Sequence, residues 1–294
     1  MSEAAGSYYL PEPSKWPVVG SIGLFLTTGG FAYALTSGVD GAMGSMTTMY
    51  IGFAVMAYML FGWFGQVIDE SEAGKYDAQV DTSFRMGMMW FIFSEVMFFA
   101  AFFGALFYAR NLAGPWLDGA GNNALTGSLL WPEFTFNWPM LSVPGEGYDT
   151  PSGTIGAWGV PFYNTLILLT SGLTVTWAHH ALKKGNRQQL IIGLFLTVAL
   201  GFIFVFMQAE EYIEAYTQLN LKLSSGTYGS TFFMLTGFHG LHVTIGAIML
   251  LVMLVRAIKG HFTEKHHFAF EAAAWYWHFV DVVWLGLFVV VYWL

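Results

Sequence analysis

The sequence predicts an all-α integral membrane protein of seven transmembrane helices forming a single polytopic membrane domain, residues 1–294. Three observations carry this prediction. Apolar residues make up 55% of the chain and charged residues 10%, where a soluble domain carries about 25% charged residues. Five charge-free runs, 16–39, 41–68, 150–182, 188–209 and 223–255, each reach the roughly 20 apolar residues that a bilayer-crossing helix needs. Two more, 86–109 and 272–294, are interrupted by a single carboxylate each, Glu95 and Asp281. An ordinary soluble enzyme is excluded.

Taken in order, the spans are expected at about 16–38, 42–67, 84–110, 157–183, 187–217, 226–258 and 269–294, with an outer loop at 111–156. The stretch before the first span is acidic and contains prolines. It therefore lacks the basic-then-apolar pattern of a cleavable signal peptide, and the first helix itself is expected to direct insertion. Alternating the loops between the two sides puts nine of the 11 basic residues on one side and leaves Arg110 and Lys222 on the other. The positive-inside rule then places the N-terminus in the cytoplasm and the C-terminus outside. The formal charge of −8 is no guide to partners, and no basic face for nucleic acid is present. The outer loop carries Trp116, Trp131, Phe134, Phe136, Trp138 and Tyr148, which suits either a partner-facing lid or anchoring at the headgroup level. No internal repeat supports a solenoid or an inverted-repeat transporter.

Chemistry is expected where polar groups enter the apolar runs. Glu95 lies ten residues from Arg85 and fifteen from Arg110, which at about 1.5 Å rise per residue puts it roughly 15 Å deep. A charge there costs roughly 2.5–3.5 kcal/mol even on the lenient insertion scale, so Glu95 should be protonated, paired or beside water. Asp281 is buried comparably. Each carboxylate is either a proton-handling or cofactor-orienting group, or a neutral carboxyl hydrogen-bonded to a neighbouring helix. His239 and His242 are three apart on the sixth span, and His278 is three before Asp281 on the seventh, so each pair shares a helix face. A His–Asp contact between these two helices is expected.

No metal is assigned. Zero cysteines remove iron–sulfur, copper–thiolate, c-type haem and Cys-ligated zinc sites. The GFHGLH stretch has neither the spacing nor the glutamate of H-E-x-x-H, so core hydrogen bonding is the reading for its histidines. His179 and His180 are adjacent, about 100° apart around a helix, and are not expected to share an ion. The stretch 261–267, HFTEKHH, has the histidines to bind a stray metal, but reads first as a solvated connector.

The segments SFRMGMMWFIFSEVMFFAAFFGALFYAR, TWAHHAL, QAEEYIEA, YGSTFFMLTGFHGLHV and HHFAFEAAAWYWHFVDVVWLGLFVVVYW together resemble subunit III of the haem-copper cytochrome c oxidases. The resemblance spans about 16–294, with five motifs in family order. It implies two N-terminal helices splayed from a five-helix bundle by a lipid-filled cleft. It also implies a non-redox subunit of a proton-pumping oxidase that stabilises subunit I, binds phospholipid and supports proton uptake. Haems and copper would reside in partner subunits, and this chain would bind no cofactor beyond structural phospholipids. Expected partners are subunits I and II and membrane phospholipids, with small subunits or a neighbouring respiratory complex as further options at the outer loop.

Position by position, Glu95 matches the family's buried glutamate and Arg85 its phosphate-holding basic residue, whose fork suits phosphate oxygens. Trp63 and Glu70 match lipid-contacting positions. In the following loop the family often carries a histidine segment where this chain reads EAGKYDAQVD, which leaves Tyr76 as the substitute. His239, His242, His278 and Asp281 match buried polar positions, read as an interhelical network. The outer loop is longer than in compact family members, and with no transit peptide recognised this favours a bacterial inner membrane. Alternatives are subunit III of a quinol oxidase, which typically lacks the first two helices, and a free-standing proton-coupled transporter.

Overall fold

The computed structural model describes residues 9–36, 38–145 and 147–294, with the side chains of 38–43 left out. The first eight residues, part of the stretch read as lacking a signal peptide, lie outside the described residues. The elements are α1 (Trp16–Thr36), α2 (Gly38–Glu72), α3 (Ala78–Tyr108), a short α4 (Gly114–Leu117), α5 (Val160–Lys183), α6 (Arg187–Thr217), α7 (Gly226–Lys259) and α8 (Phe268–Leu287). Single π-helical turns follow α3 at Ala109–Ala113, lie in the outer segment at Thr126–Leu130, and end the chain at Phe288–Trp293. No strand occurs among the described residues.

The helix ends obey local chemistry. Pro17 sits in the first turn of α1, where a missing N–H costs nothing. Gly74, with φ of 69°, stops α2, and the Lys75 N–H donates back to the Glu70 carbonyl at 3.2 Å, the left-handed stop that glycine permits. Asp77 then caps α3 by accepting from the Val80 N–H at 2.8 Å. Asn186 caps α6 through the Gln189 N–H at 3.1 Å, and Gly260, with φ of 82°, ends α7.

The chain divides into two compact units, Met1–Phe84 and Arg85–Leu294. In the first, α1 and α2 pack along each other through glycines. A Cβ on Gly30 would stand 2.6 Å from the Met49 nitrogen, and one on Gly52 would stand 2.4 Å from that of Thr27. Small residues let two backbones approach where lipid supplies no hydrophobic drive between helices. Phe25, Phe31, Tyr50, Phe61 and Phe64 point outward and are exposed.

In the second unit α5 packs along α6 and α8, α6 along α7, and α7 along α8. The centre is filled by Trp277, Trp284, Phe204, Phe232, Phe270 and Leu194, all fully or almost fully buried. The indole N–H of Trp277 donates to Ser171 Oγ and that of Trp284 to Thr165 Oγ1, both at 2.9 Å. Gly201 and Gly246 flank the Trp277 ring, each with room for no side chain.

Six helical stretches among the described residues are long and apolar enough to cross a bilayer: α1, most of α2, α3 with its extension, α6, α7, and α8 with its π turn. Helix α5, the fourth expected span, forms over the expected residues but does not join that set. Its composition is diluted by Asn164, Thr165, Ser171, Thr174 and Thr176. Several of these hydroxyls serve as acceptors or bridges inside the bundle, Thr174 meeting Thr197 of α6 at 2.7 Å.

Candidate functional site

The bundle brings Glu95 and His242 together. Glu95 Oε2 lies 2.9 Å from His242 Nε2, and His242 Nδ1 lies 2.6 Å from the Phe238 carbonyl. A carbonyl only accepts, so Nδ1 carries a proton. The Nε2···Oε2 contact then needs one more proton, held either as carboxylic acid against neutral imidazole or as carboxylate against imidazolium. Tyr276 stacks on the imidazole at 6.3 Å and 12°, and Phe98, Phe99 and Phe279 complete the enclosure. Chemically this pair can store and relay one proton where a lone carboxylate would be costly.

The other expected polar positions do not join that pair. His239 is fully buried, its Nε2 3.2 Å from the Val280 carbonyl and its ring against Phe204 and Trp284. Asp281 is buried, but the expected contact with a histidine of α7 is replaced by one within its own helix, Asp281 Oδ2 to His278 Nδ1 at 3.4 Å. His278 Nε2 in turn meets Thr176 Oγ1 of α5 at 3.2 Å. The cause is Gly172, where a Cβ would lie 2.5 Å from Asp281 Oδ2. The missing side chain admits the carboxylate to α5, so it faces away from α7.

One buried carboxylate escaped the sequence reading. Glu211 is 1% exposed, and its Oε1 accepts from Tyr292 Oη at 2.6 Å and from Gln208 Nε2 at 3.1 Å. The signal was available: Gln208 and Glu211 are three apart within the apolar stretch of α6, in the quoted QAEEYIEA.

In the first unit, Glu70 and Tyr76, two of the positions expected to touch lipid, belong to one hydrogen-bonded patch. Glu70 accepts from Gln66 Nε2 at 3.0 Å and from Tyr76 Oη at 2.9 Å, and Gln66 Oε1 accepts from the Trp16 indole at 3.0 Å. Tyr9 and Phe84 flank the Tyr76 ring edge-on. Burial and the Glu70 carboxylate push the Tyr76 phenol above its ordinary value of 10.0, so it remains a donor at neutral pH. Trp63 stacks on Phe64 and is half exposed.

In the second unit, Arg85 pairs with Glu271 at 2.8 Å and lies over the Phe268 ring at 4.9 Å. That partner is 186 residues away in the chain and is set by packing alone. The outer segment is tied down by Asp118, which accepts from the Phe136 N–H at 3.0 Å. Ser152 N–H donates to the Leu219 carbonyl at 2.8 Å, and Lys222 pairs with Asp149 at 3.4 Å. Leu125, Leu129 and Leu130 are exposed on it.

Six long apolar helices among the described residues, carboxylates paired within the bundle and outward-facing aromatics define a multi-pass helical membrane protein. The sequence pattern of the family described as Cytochrome c oxidase subunit III matches residues 6–119 and 139–294, and the chain belongs to that family. It is 42% identical over 294 residues to cytochrome c oxidase subunit 3 of Latimeria chalumnae, covering 100% of this chain and 99% of that one. It is 44% identical over 290 residues to the Marchantia polymorpha protein of the same name, covering 97% and 96%. Subunit 3 of Oncorhynchus masou is 41% identical over 294 residues, with 100% and 99% covered. The chain is accordingly a membrane subunit of an oxidase complex that contains further oxidase subunits. The family pattern passes over residues 120–138, within the outer segment read as longer than in compact relatives.

Proposed function

We propose that this chain is a supporting subunit of a proton-pumping cytochrome c oxidase, itself without a redox centre, that stabilises subunit I, holds phospholipid and sustains proton uptake. The observation that carries the non-redox reading is how the intramembrane histidines are used. His239 meets a carbonyl, His242 a carboxylate and a carbonyl, and His278 a carboxylate and a hydroxyl. Haem and copper are assigned to the partner subunits. Glu95 with His242 is the proton-handling pair, and Asp281 is a structural carboxyl.

Trp63, Glu70 and Tyr76 on the first unit, and Arg85 on the second, are each proposed to contact phospholipid. Glu70 offers a carboxylate acceptor that the Tyr76 hydroxyl orients by donating to it, and Arg85 a guanidinium suited to phosphate. In this reading α5 is the seventh span, and the chain is one polytopic membrane domain. Relatives carrying the cytochrome c name, together with two N-terminal helices, favour cytochrome c over quinol as donor. The family assignment decides against a free-standing transporter.

The distribution of Lys and Arg supports a cytoplasmic N-terminus, and the long outer segment supports a bacterial plasma membrane. The chain contains no cysteine, so Lys184→Cys and Asn122→Cys report orientation directly. Membrane-impermeant maleimide on intact cells should label the second and spare the first; the reverse pattern overturns the orientation.

The function is tested by purifying the complex in mild detergent with and without this chain. Redox spectra should be unchanged by depletion, initial oxygen consumption nearly intact, and activity should decay faster over repeated turnover. Haem lost in proportion to this chain would overturn the non-redox reading, and an unchanged active lifetime would overturn the supporting role. Arg85→Ala should lower the count of co-purified phospholipid by mass spectrometry, and an unchanged count removes Arg85 from the lipid sites.

A further inference from the structure

The cytoplasmic connector read from sequence as solvated lies against a histidine of α5. His179 of α5, His267 immediately before α8, and Glu271 in the first turn of α8 each offer a ligand atom, and these atoms lie within 4.8 Å of one another. We propose that His179, His267 and Glu271 form an exchangeable site for a divalent transition metal of the zinc class. The proposal is independent of the lipid and proton-uptake readings above.

Each ligand is prepared differently. His179 Nε2 is buried and has no hydrogen-bond partner, an uncommon state for a buried polar atom and one that a metal relieves. His267 Nδ1 lies 3.0 Å from the Thr263 carbonyl. That carbonyl must accept, so the proton is fixed on Nδ1 and the lone pair on Nε2, the outer-sphere arrangement that orients metal-binding imidazoles. Glu271 follows His267 by one helical turn, which puts both on one face. Its carboxylate has two oxygens, so one can bind a metal while the other keeps Arg85, at 2.8 Å from Oε2.

Two imidazoles and one carboxylate, with no thiolate in the chain, suit zinc and its neighbours better than calcium or magnesium, which prefer all-oxygen shells. Around a tetrahedral zinc with bonds of about 2.0–2.2 Å, ligand atoms stand about 3.4 Å apart. The present spread closes to that by side-chain rotation, with water as the fourth ligand. All three residues are half-buried, shielded yet reachable from the adjoining connector.

The test uses the intact oxidase complex, stripped with chelator and dialysed against zinc chloride, with bound zinc counted per haem by plasma mass spectrometry. His179→Ala and His267→Ala should each bind one zinc fewer per complex than the unaltered protein. His180→Ala, which removes an exposed neighbour outside the cluster, should bind the full number. Equal zinc in all four proteins overturns the site. Because His179 also packs against the Phe270 ring, a second measurement uses the unaltered complex: diethylpyrocarbonate modification of histidines, read by peptide mass spectrometry. Zinc should protect His179 and His267 and leave His180 and His266 reactive, whereas protection that does not distinguish the pairs overturns the proposal.

Discussion

In the α1–α2 pair backbone meets backbone across Gly30 and Gly52, whereas in the α5–α8 bundle indole rings meet hydroxyls, Trp277 on Ser171 and Trp284 on Thr165. The first arrangement needs little side-chain volume between the helices and leaves its large aromatics facing outward. The second uses its largest side chains inside and secures its two buried indole N–H groups with directed bonds. The difference teaches what each unit is suited to. The pair presents an aromatic surface to lipid or protein neighbours, while the bundle holds carboxylates and histidines at fixed separations. At one end of the pair side chains are joined in the hydrogen-bonded chain Trp16–Gln66–Glu70–Tyr76.

The comparison breaks most readily at the bundle. Trp277→Ala removes a fully buried ring, while the Ser171 hydroxyl keeps its own bond to the Leu168 carbonyl, and should cost about 3–5 kcal/mol, seen as loss of this chain from the complex at temperatures the unaltered complex survives. A variant that melts normally would mean the bundle is not held by its indoles. Next in size, Gly52→Leu should force the α1–α2 pair apart at a cost of about 1–3 kcal/mol. Hydrogen exchange should rise in α1 and α2 and stay constant in α6 and α7. Equal loosening of both units would show that the two packing schemes are not independent.

Sharper still is the contrast between two changes at one pair. His242→Leu leaves Glu95 without its partner and should destabilise by about 1–3 kcal/mol. Glu95→Gln keeps a hydrogen bond to the imidazole and should shift the melting temperature far less, with initial oxidase turnover nearly unchanged. If Glu95→Gln stops turnover at once, the pair belongs to the chemistry and not to its support. Smallest is the tether of the outer segment. The Ser224 hydroxyl holds the exposed Asp149 carboxyl below its ordinary 3.8, Lys222 adding to this against a raising effect of desolvation. A depressed folded value means the tether is fully present above the ordinary carboxylate range and is lost as pH falls through the depressed value. Exchange protection at residues 149–152 should therefore hold from neutral pH down to about pH 4 and fade below it; protection that fades near neutrality would assign the tether to another group.

Much of this architecture was legible because apolar run length fixes where a membrane helix can lie. Observed helices begin and end within a few residues of the expected spans, except where charged residues stay helical. Helix α2 continues to Glu72, beyond the expected 67, because Gln66 and Glu70 bond across one turn. Helix α3 starts at Ala78 instead of 84, and the Asp77 cap that causes this is visible in the sequence as an N-cap residue. Partnerships were less legible. Periodicity places His242 on a face of its helix, but its partner Glu95 is 147 residues away, and only packing decides which faces meet. The same limit hid the joining of His179 to His267, and of Arg85 to Glu271. Gly172 redirected Asp281 for a reason of volume that no motif expresses.

The staple between Asp118 and the Phe136 N–H closes the outer segment at its base, with the Phe136 ring seated on Gly114. Between these two points lies nearly all of the stretch 120–138 that the family pattern passes over. Its ends therefore already meet, and the stretch behaves as a cassette: its length can change while the scaffold beneath keeps the same closure, since lengthening a closed loop costs only about 0.6 kcal/mol per doubling. An epitope or fluorescent tag spliced at Asn122 would inherit that base, and the site offers a handle on the complex that leaves every helix intact.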